Sequence, residues 1–271
     1  MTRVHILTKG FASPNGRAFL FPLYVHRQRL LEAGISFKCF TRPTPDVIDC
    51  DALVIDSRFY SHRWTRDHDA ALEEIDTYKK KIGAVLYFDI SDSTGWLQSQ
   101  VLPYVTRYCK AQLLTARETY LRPCYGNRIW ADYYHRENGV EDNDPVRARP
   151  VEKKDYLSKL RVSWNSGLAD YSLLGPARMA LRNHVPIDRL LKFPGNFTPP
   201  ERPRPLLFAS RFGASYPRAT VSYQRRQIRQ LLGERVPTNK LSRRAYLAEM
   251  RNARVVVSPF GFGEITLKDF E

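Results

Sequence analysis

Short apolar runs alternate with helical patterns along the first ninety residues of this 271-residue chain. Residues 4–8 predict a strand, and a loop that carries Gly10 and Gly16 follows it. The apolar spacing over residues 17–33 predicts a helix that Gly34 ends. The alternation continues with strands over 36–41, 52–56 and 84–89 and a helix over 67–82. Because strands that alternate with helices pair in parallel, the sequence predicts an α/β fold with a parallel sheet.

The pattern is less regular in the middle of the chain. We expect a helix over 97–109, strands over 112–115 and 161–164, and a helix over 176–184, with an irregular stretch from 116 to 160. Five prolines between positions 194 and 205 predict a stiff linker over 196–205. Residues 1–195 are therefore predicted to form one Rossmann-like domain.

A second α/β pattern follows the linker. It consists of a strand over 206–210, helices over 221–232 and 242–252, and a strand over 255–257. Residues 206–271 thus predict a second Rossmann-like domain. It would be incomplete, because about 65 residues are fewer than such a domain usually has.

The formal charge is +15, which favours partners that carry negative charge, such as phosphate-bearing substrates, anionic lipid or nucleic acid. No run of about 18 apolar residues predicts a membrane span, and the N-terminus lacks the long apolar region of a signal peptide, so we expect a cytoplasmic location. The four cysteines and six histidines show no metal-ligand spacing, and no metal site is predicted.

Asp89 and Asp92 follow the strand predicted over 84–89 and lie where open α/β sheets bind ligands. One of them could act as a general base toward an acceptor hydroxyl. Alternatively, Asp92 or Ser93 caps the following helix. The Gly10 loop matches neither a P-loop nor a dinucleotide fingerprint, and it is either an acceptor-side loop or a plain connection between strand and helix.

Two cationic residues of the second domain are candidate ligands for a diphosphate. Arg211 follows the strand over 206–210, and Lys240 lies in the loop before the next helix. An arginine there can bind phosphate with two parallel hydrogen bonds. Arg225, Arg226 and Arg229 fall inside the helix over 221–232 and are interpreted as its solvated face.

The most informative motif lies at the end of the chain. A β-branched run over 255–257 leads into a loop with Gly261, Gly263 and Glu264, and Glu271 follows seven positions after Glu264. In a strand, turn and helix arrangement, the loop N–H groups can face phosphate. A helix that begins near residue 265 would carry Glu271 on its second turn, where a carboxylate can accept both hydroxyls of a ribose.

This ending, S-P-F-G-F-G-E-I-T-L-K-D-F-E, resembles the nucleotide-sugar site of glycosyltransferases with the two-Rossmann (GT-B) architecture, similar to families 1 and 4. The segments D-I-S-D-S-T-G-W and L-P-Y-V-T-R-Y are similar to bacterial members of that group. Many retaining members have seven residues between two glutamates, whereas six separate Glu264 from Glu271 here. Separately, the short second domain predicts that the chain is a fragment of a longer enzyme.

The resemblance implies a sugar transfer from a nucleotide-sugar donor to a glycan or glycolipid acceptor, with no cofactor and no metal. Glu264 would lie near the sugar and Glu271 on the ribose, while Arg211 and Lys240 would stabilise the leaving diphosphate. Asp92 would be the base if the reaction inverts the anomeric carbon. Peripheral attachment to an anionic inner membrane surface would fit the positive charge.

Two other functions remain open at this point. The charge and the Trp and Tyr content would also serve a nucleic-acid-binding module, although nucleic acid is the less favoured partner. A nucleotide-sugar epimerase on the same fold would bind the same donor and need no acceptor.

Overall fold

A computed structural model describes residues 1–164, 201–233, 237–261 and 263–264 of the chain. The chain divides into two compact units. The described part of unit 1 comprises residues 1–91, 96–123 and 149–164, and that of unit 2 comprises 92–95, 124–148 and the described residues from 201 onward.

The structure describes six strands in unit 1, and all of them pair in parallel. The first four are short runs rich in β-branched and aromatic residues. They are β1 (Thr2–Leu7), β2 (Ile35–Phe40), β3 (Ala52–Asp56), β4 (Val85–Asp89), β5 (Arg107–Lys110) and β6 (Leu160–Val162). The sheet order is β2-β1-β3-β4-β5-β6, which makes the unit a Rossmann-like α/β structure. The chain reverses its direction of travel across the sheet between β1 and β3, and this is the topological switch point.

The helices described in unit 1 lie on both sides of this sheet. They are α1 (Pro14–Val25), α2 (Arg27–Glu32) and α3 (His68–Ile82). Phe19 and Leu20 of α1 pack with Ile6, Val54 and Phe88. Ala71, Ile75 and Tyr78 of α3 belong to a separate and larger core cluster around Leu53, Ile55 and Tyr87. Successive strand residues point to opposite faces, so neighbours such as Val54 and Ile55 serve different clusters.

The helix predicted over 17–33 is two helices in the structure. Pro14 occupies the first turn, and the Ser13 hydroxyl caps it by accepting a hydrogen bond from the Gly16 N–H. The chain leaves helical geometry at His26, shortly after Pro22, which has no N–H to donate to the preceding turn. Gly34 ends the second helix with a positive φ, as predicted.

The segment after β4 differs from the prediction. The structure has a 3-10 turn over Ser99–Tyr104 and then β5, where the sequence predicted a helix over 97–109 and a strand over 112–115. Pro103 interrupts the helical pattern, and Tyr108 and Lys110 are fully buried beside β4. The predicted helix over 176–184 lies outside the described residues.

The described part of unit 2 contains two parallel strands, β7 (Leu206–Ala209) and β8 (Ala253–Val256). Between them along the chain lie α5 (Ala219–Leu232) and α6 (Arg243–Asn252). The unit also contains α4 (Ile129–Asn138), in a stretch predicted to be irregular. Residues 92–95 and 124–148, which the sequence assigned to the first domain, belong to this unit.

Apolar packing explains why the stretch around α4 belongs to unit 2. Trp130 and Ala131 are buried against Val221 of α5, and Trp130 also contacts the ring of Phe260. At the start of α5, Asp142 accepts hydrogen bonds from the N–H of Thr220, at 2.9 Å, and from its hydroxyl. Among the helices that the structure describes, none combines the length and the apolar character needed to cross a bilayer.

Gly16 offers a test of the packing at the start of α1. A Cβ atom at this position would lie 2.4 Å from the carbonyl oxygen of Gly10, which is a backbone atom. We expect Gly16→Ala to destabilise unit 1 by roughly 1–3 kcal/mol, because the clash outweighs the gain in helix propensity. Urea denaturation followed by circular dichroism measures this change.

Arg29→Ala is the matched control, since Arg29 is an exposed residue of α2. Its free energy of unfolding should stay within about 0.5 kcal/mol of the wild type. If the free energy of unfolding of Gly16→Ala equals that of the wild type, the Gly10 loop can move away from the new Cβ atom without loss of stability, which would contradict the prediction.

Candidate functional site

The carboxyl ends of the unit 1 strands carry buried acidic groups. Asp89, at the end of β4, accepts hydrogen bonds from the hydroxyl of Tyr108 at 2.5 Å, from Lys110 Nζ at 3.1 Å and from the N–H of Ser91 at 2.9 Å. The side chains of Asp89 and Lys110 are both completely shielded from solvent. Asp89 therefore lies inside the protein and not on an acceptor-facing surface, which departs from its predicted role.

Lys110 extends this network to the next loop. Its ammonium group also donates to the carbonyl oxygen of Ser91, at 2.7 Å. A buried ion pair needs such additional hydrogen bonds to offset the loss of hydration. The network thus holds the chain in place where it leaves β4.

The Gly10 loop is tied to a carboxylate that the sequence analysis missed. Asp56 ends β3 beside the switch point and accepts hydrogen bonds from the Thr8 hydroxyl at 2.7 Å and from the N–H of Arg58 at 2.8 Å. The N–H of Gly10 in turn donates to the Thr8 hydroxyl, at 3.0 Å. Burial raises the pKa of Asp56. An acidic residue directly after a buried apolar run was the sequence signal for this position.

Asp92, Ser93 and Thr94 belong to unit 2 and form a loop around Glu264. The Glu264 carboxylate accepts hydrogen bonds from the Ser93 hydroxyl at 3.0 Å and from the N–H of Thr94 at 2.8 Å. Ser93 is fully buried and has a φ of 78°. No α-helix begins at this loop, so the predicted helix cap at Asp92 or Ser93 is wrong. The loop instead holds the carboxylate of Glu264.

A buried arginine interacts electrostatically with both predicted catalytic carboxylates. Arg128 is 7% exposed and interacts electrostatically with Glu264 and Asp92 as well as with Asp142. Burial and the nearby charge of Arg218 lower the pKa of Arg128 to about 10, while the three carboxylates oppose that shift. No feature of the sequence around Arg128 distinguished it from the many other arginines.

A cavity of about 1240 Å³ opens in unit 2 beside the chain that follows β7. We call it the basic cavity, because five cationic side chains line it. These are Arg211, Arg225, Arg226, Arg229 and Lys240, and the aromatic residues Phe212, Tyr216 and Tyr246 lie among them. The structure thus brings the two predicted diphosphate ligands, Arg211 and Lys240, to one cavity.

Arg211 is held in place by an acidic partner. Its Nε donates to Glu249 Oε1 at 2.8 Å, its Nη2 donates to Oε2 at 2.5 Å, and its Nη1 donates to Asn239 Oδ1 at 2.5 Å. The Glu249 carboxylate raises the pKa of Arg211. The guanidinium group therefore has a fixed orientation at the wall of the cavity.

Of the three helix arginines, Arg225 departs from its predicted place on a solvated face, whereas Arg226 and Arg229 are exposed as predicted. All three line the basic cavity, and Arg225 is 8% exposed. Its guanidinium group donates to two backbone carbonyl groups, whereas Arg226 and Arg229 are exposed. Tertiary contacts that a single sequence does not reveal decide which of the three is buried.

The glycine loop after β8 is closed on itself. The N–H of Gly261 donates to the carbonyl oxygen of Gly263 at 3.2 Å. This N–H is therefore bonded within the loop, whereas the sequence analysis predicted that it faces a phosphate. Glu271 lies outside the described residues. Within the described part of the chain, no group of three or more His, Cys, Asp or Glu side chains could hold a metal ion.

Comparisons with protein-family models, with curated proteins and with solved structures find no significant match to this chain.

The buried ion pair of unit 1 is a stability determinant that mutation can test. Lys110→Met keeps the length of the side chain and leaves Asp89 buried without its cationic partner. We expect a loss of about 3–5 kcal/mol in the free energy of unfolding, measured by urea denaturation.

Lys80→Met is the control for that experiment. Lys80 pairs with Asp76 one turn earlier on the exposed side of α3, and its removal should change stability little. Equal stability of the two variants would contradict a structural role of the buried pair.

The contacts of Glu264 predict that its removal loosens the loop over 92–95. Glu264→Ala leaves the buried Ser93 hydroxyl and the Thr94 N–H without their acceptor. We expect a loss of roughly 1–3 kcal/mol in stability and faster hydrogen exchange at the Thr94 amide. Glu141→Ala, at an exposed glutamate of the same unit, should leave both quantities unchanged. Slow exchange at Thr94 in the Glu264 variant would contradict the contact.

Proposed function

We propose that this protein is a glycosyltransferase that moves a sugar from a nucleotide-sugar donor to a glycan or glycolipid acceptor. The observation that carries the proposal is the basic cavity, where five cationic side chains surround one space beside the carboxyl end of β7. This is the position at which α/β sheets bind nucleotides. A cavity of about 1240 Å³ is large enough for a nucleotide with an attached sugar.

The chemistry of the lining supports a diphosphate as the anchored group. Arginine binds phosphate oxygens through planar pairs of N–H groups, and lysine adds a compact charge. Arg211 and Lys240 supply one group of each kind. The aromatic residues Tyr216 and Tyr246 also belong to the lining, and aromatic rings are side chains on which a nucleotide base can stack.

In the proposed reaction, the bond between the anomeric carbon and the diphosphate oxygen breaks, and the electron pair stays on that oxygen. The acceptor hydroxyl forms the new bond to the anomeric carbon and loses its proton. The cationic lining stabilises the charge that develops on the diphosphate, and no metal is required. Asp92 is the proposed base for an inverting reaction.

Glu264 has a different place in this proposal. Its carboxylate is already bound by Ser93 and Thr94, so it would act near the sugar by fixing the loop that carries Asp92. The net charge of +15 supports a cytoplasmic location at the anionic inner surface of a membrane, where a glycolipid acceptor would be present.

The proposal predicts a preference for one nucleoside diphosphate. Calorimetric titration with UDP, GDP, ADP and inorganic pyrophosphate at moderate salt should find one nucleotide that binds more tightly than pyrophosphate. Arg211→Gln and Lys240→Ala should each weaken that binding about tenfold, the effect of losing one charge-assisted hydrogen bond.

Arg251→Ala is the control, because Arg251 is an exposed cation of the same unit that does not line the cavity. Its dissociation constant should match that of the wild type. If pyrophosphate binds as tightly as every nucleotide, and oligonucleotides bind with a steep dependence on salt, the protein is a nucleic-acid-binding module instead.

A further inference from the structure

Helix α5 buries a row of polar side chains. Thr220, Ser222, Gln224 and Arg225 are each less than a tenth exposed. A surface helix normally buries apolar side chains, and a buried polar group must be hydrogen-bonded to avoid a large desolvation penalty. The partners of these side chains therefore show what the helix holds in place.

Arg225 joins the two loops that follow the strands of unit 2. Its Nε donates to the carbonyl oxygen of Phe260 at 3.0 Å, and its Nη1 donates to the carbonyl oxygen of Gly213 at 2.9 Å. Gly213 follows β7, whereas Phe260 follows β8. One planar group thus fixes the separation of two chain segments that are far apart in sequence.

Neighbouring residues on the helix reinforce both attachments. Gln224 Oε1 accepts a hydrogen bond from the N–H of Phe260 at 3.0 Å, so Phe260 is held at both its N–H and its carbonyl group. The Ser222 hydroxyl accepts from the N–H of Tyr216 at 2.8 Å and donates to its carbonyl oxygen at 3.0 Å. The Tyr216 ring also lies 4.6 Å from the guanidinium carbon of Arg225, in a cation–π contact.

We propose that Arg225, assisted by Gln224, is a positioning residue: it ties the loop over 211–216, which lines the basic cavity, to the segment over 258–261, and so holds that loop in the arrangement that binds the donor diphosphate. This inference rests on the proposed function of the basic cavity. Arg211 begins the first loop, so its place at the cavity wall depends on that arrangement. Lysine cannot replace Arg225, because a single ammonium group lacks the rigid fork that reaches two carbonyl oxygens at once.

The charge-conserving variant Arg225→Lys separates positioning from charge. We expect its affinity for the nucleotide that the wild type prefers to fall about tenfold, although the net charge is unchanged. Hydrogen exchange of the ligand-free protein should become faster over both loops and stay the same in unit 1. Arg251→Lys, the matched control at an exposed position of α6, should retain the wild-type affinity and hydrogen exchange.

Gln224→Met provides a second variant if Arg225→Lys does not fold. It removes the acceptor of the Phe260 N–H while it keeps the length of the side chain. Hydrogen exchange at the Phe260 amide should become faster, and the affinity for the same nucleotide should fall. Both variants are measured at a temperature where circular dichroism shows a folded chain.

The outcomes distinguish this inference from the function on which it rests. Wild-type affinity and exchange in both Arg225→Lys and Gln224→Met would overturn the positioning role and leave the proposed function intact. If the wild type binds none of UDP, GDP, ADP or pyrophosphate, the proposed function fails and the donor role of Arg225 fails with it. In that case, faster hydrogen exchange over both loops in Arg225→Lys would still establish that Arg225 holds the two loops.

Discussion

Parallel strand pairing is the constraint on which both units depend. In a parallel sheet all carboxyl ends lie at one edge, so the residues that follow the strands are brought together whatever their separation in sequence. In unit 1 this places Asp56 and Asp89 at neighbouring strand ends. In unit 2 it places the Gly213 and Phe260 loops within reach of the same guanidinium group. The polar chemistry of the protein is concentrated at these edges.

The two edges use their polar groups differently. In unit 1 the carboxylates are buried, and hydroxyl, ammonium and N–H groups of the same unit satisfy them. Such a network stabilises one conformation, and its polar groups already have hydrogen-bond partners within the protein. In unit 2 cationic side chains line a cavity large enough for a ligand. This contrast favours unit 2 as the unit that binds a ligand, whereas the polar groups of unit 1 stabilise the ends of its own strands.

The sequence predicted those parts of the fold that depend on local patterns. The strands of unit 1 up to β4, the two helices after β7, and the convergence of Arg211 and Lys240 follow from apolar periodicity and from strand ends. The position of β5 was missed, because burial against β4 and the effect of Pro103 decide it rather than periodicity. The assignment of 124–148 to unit 2 was missed for a similar reason, since it depends on the packing of Trp130 against Val221.

Arg225 and Arg226 show why the site could be predicted only in part. They are adjacent arginines in one helix, yet the first is buried against two loops and the second is exposed. Their difference arises from the direction of the helix relative to the loops, which no local pattern encodes. The same holds for Glu249, whose carboxylate orients Arg211 from another helix. In the basic cavity Arg211 and Arg225 are held by hydrogen bonds within unit 2 and fix its geometry, whereas Arg226, Arg229 and Lys240 are exposed cations of the lining.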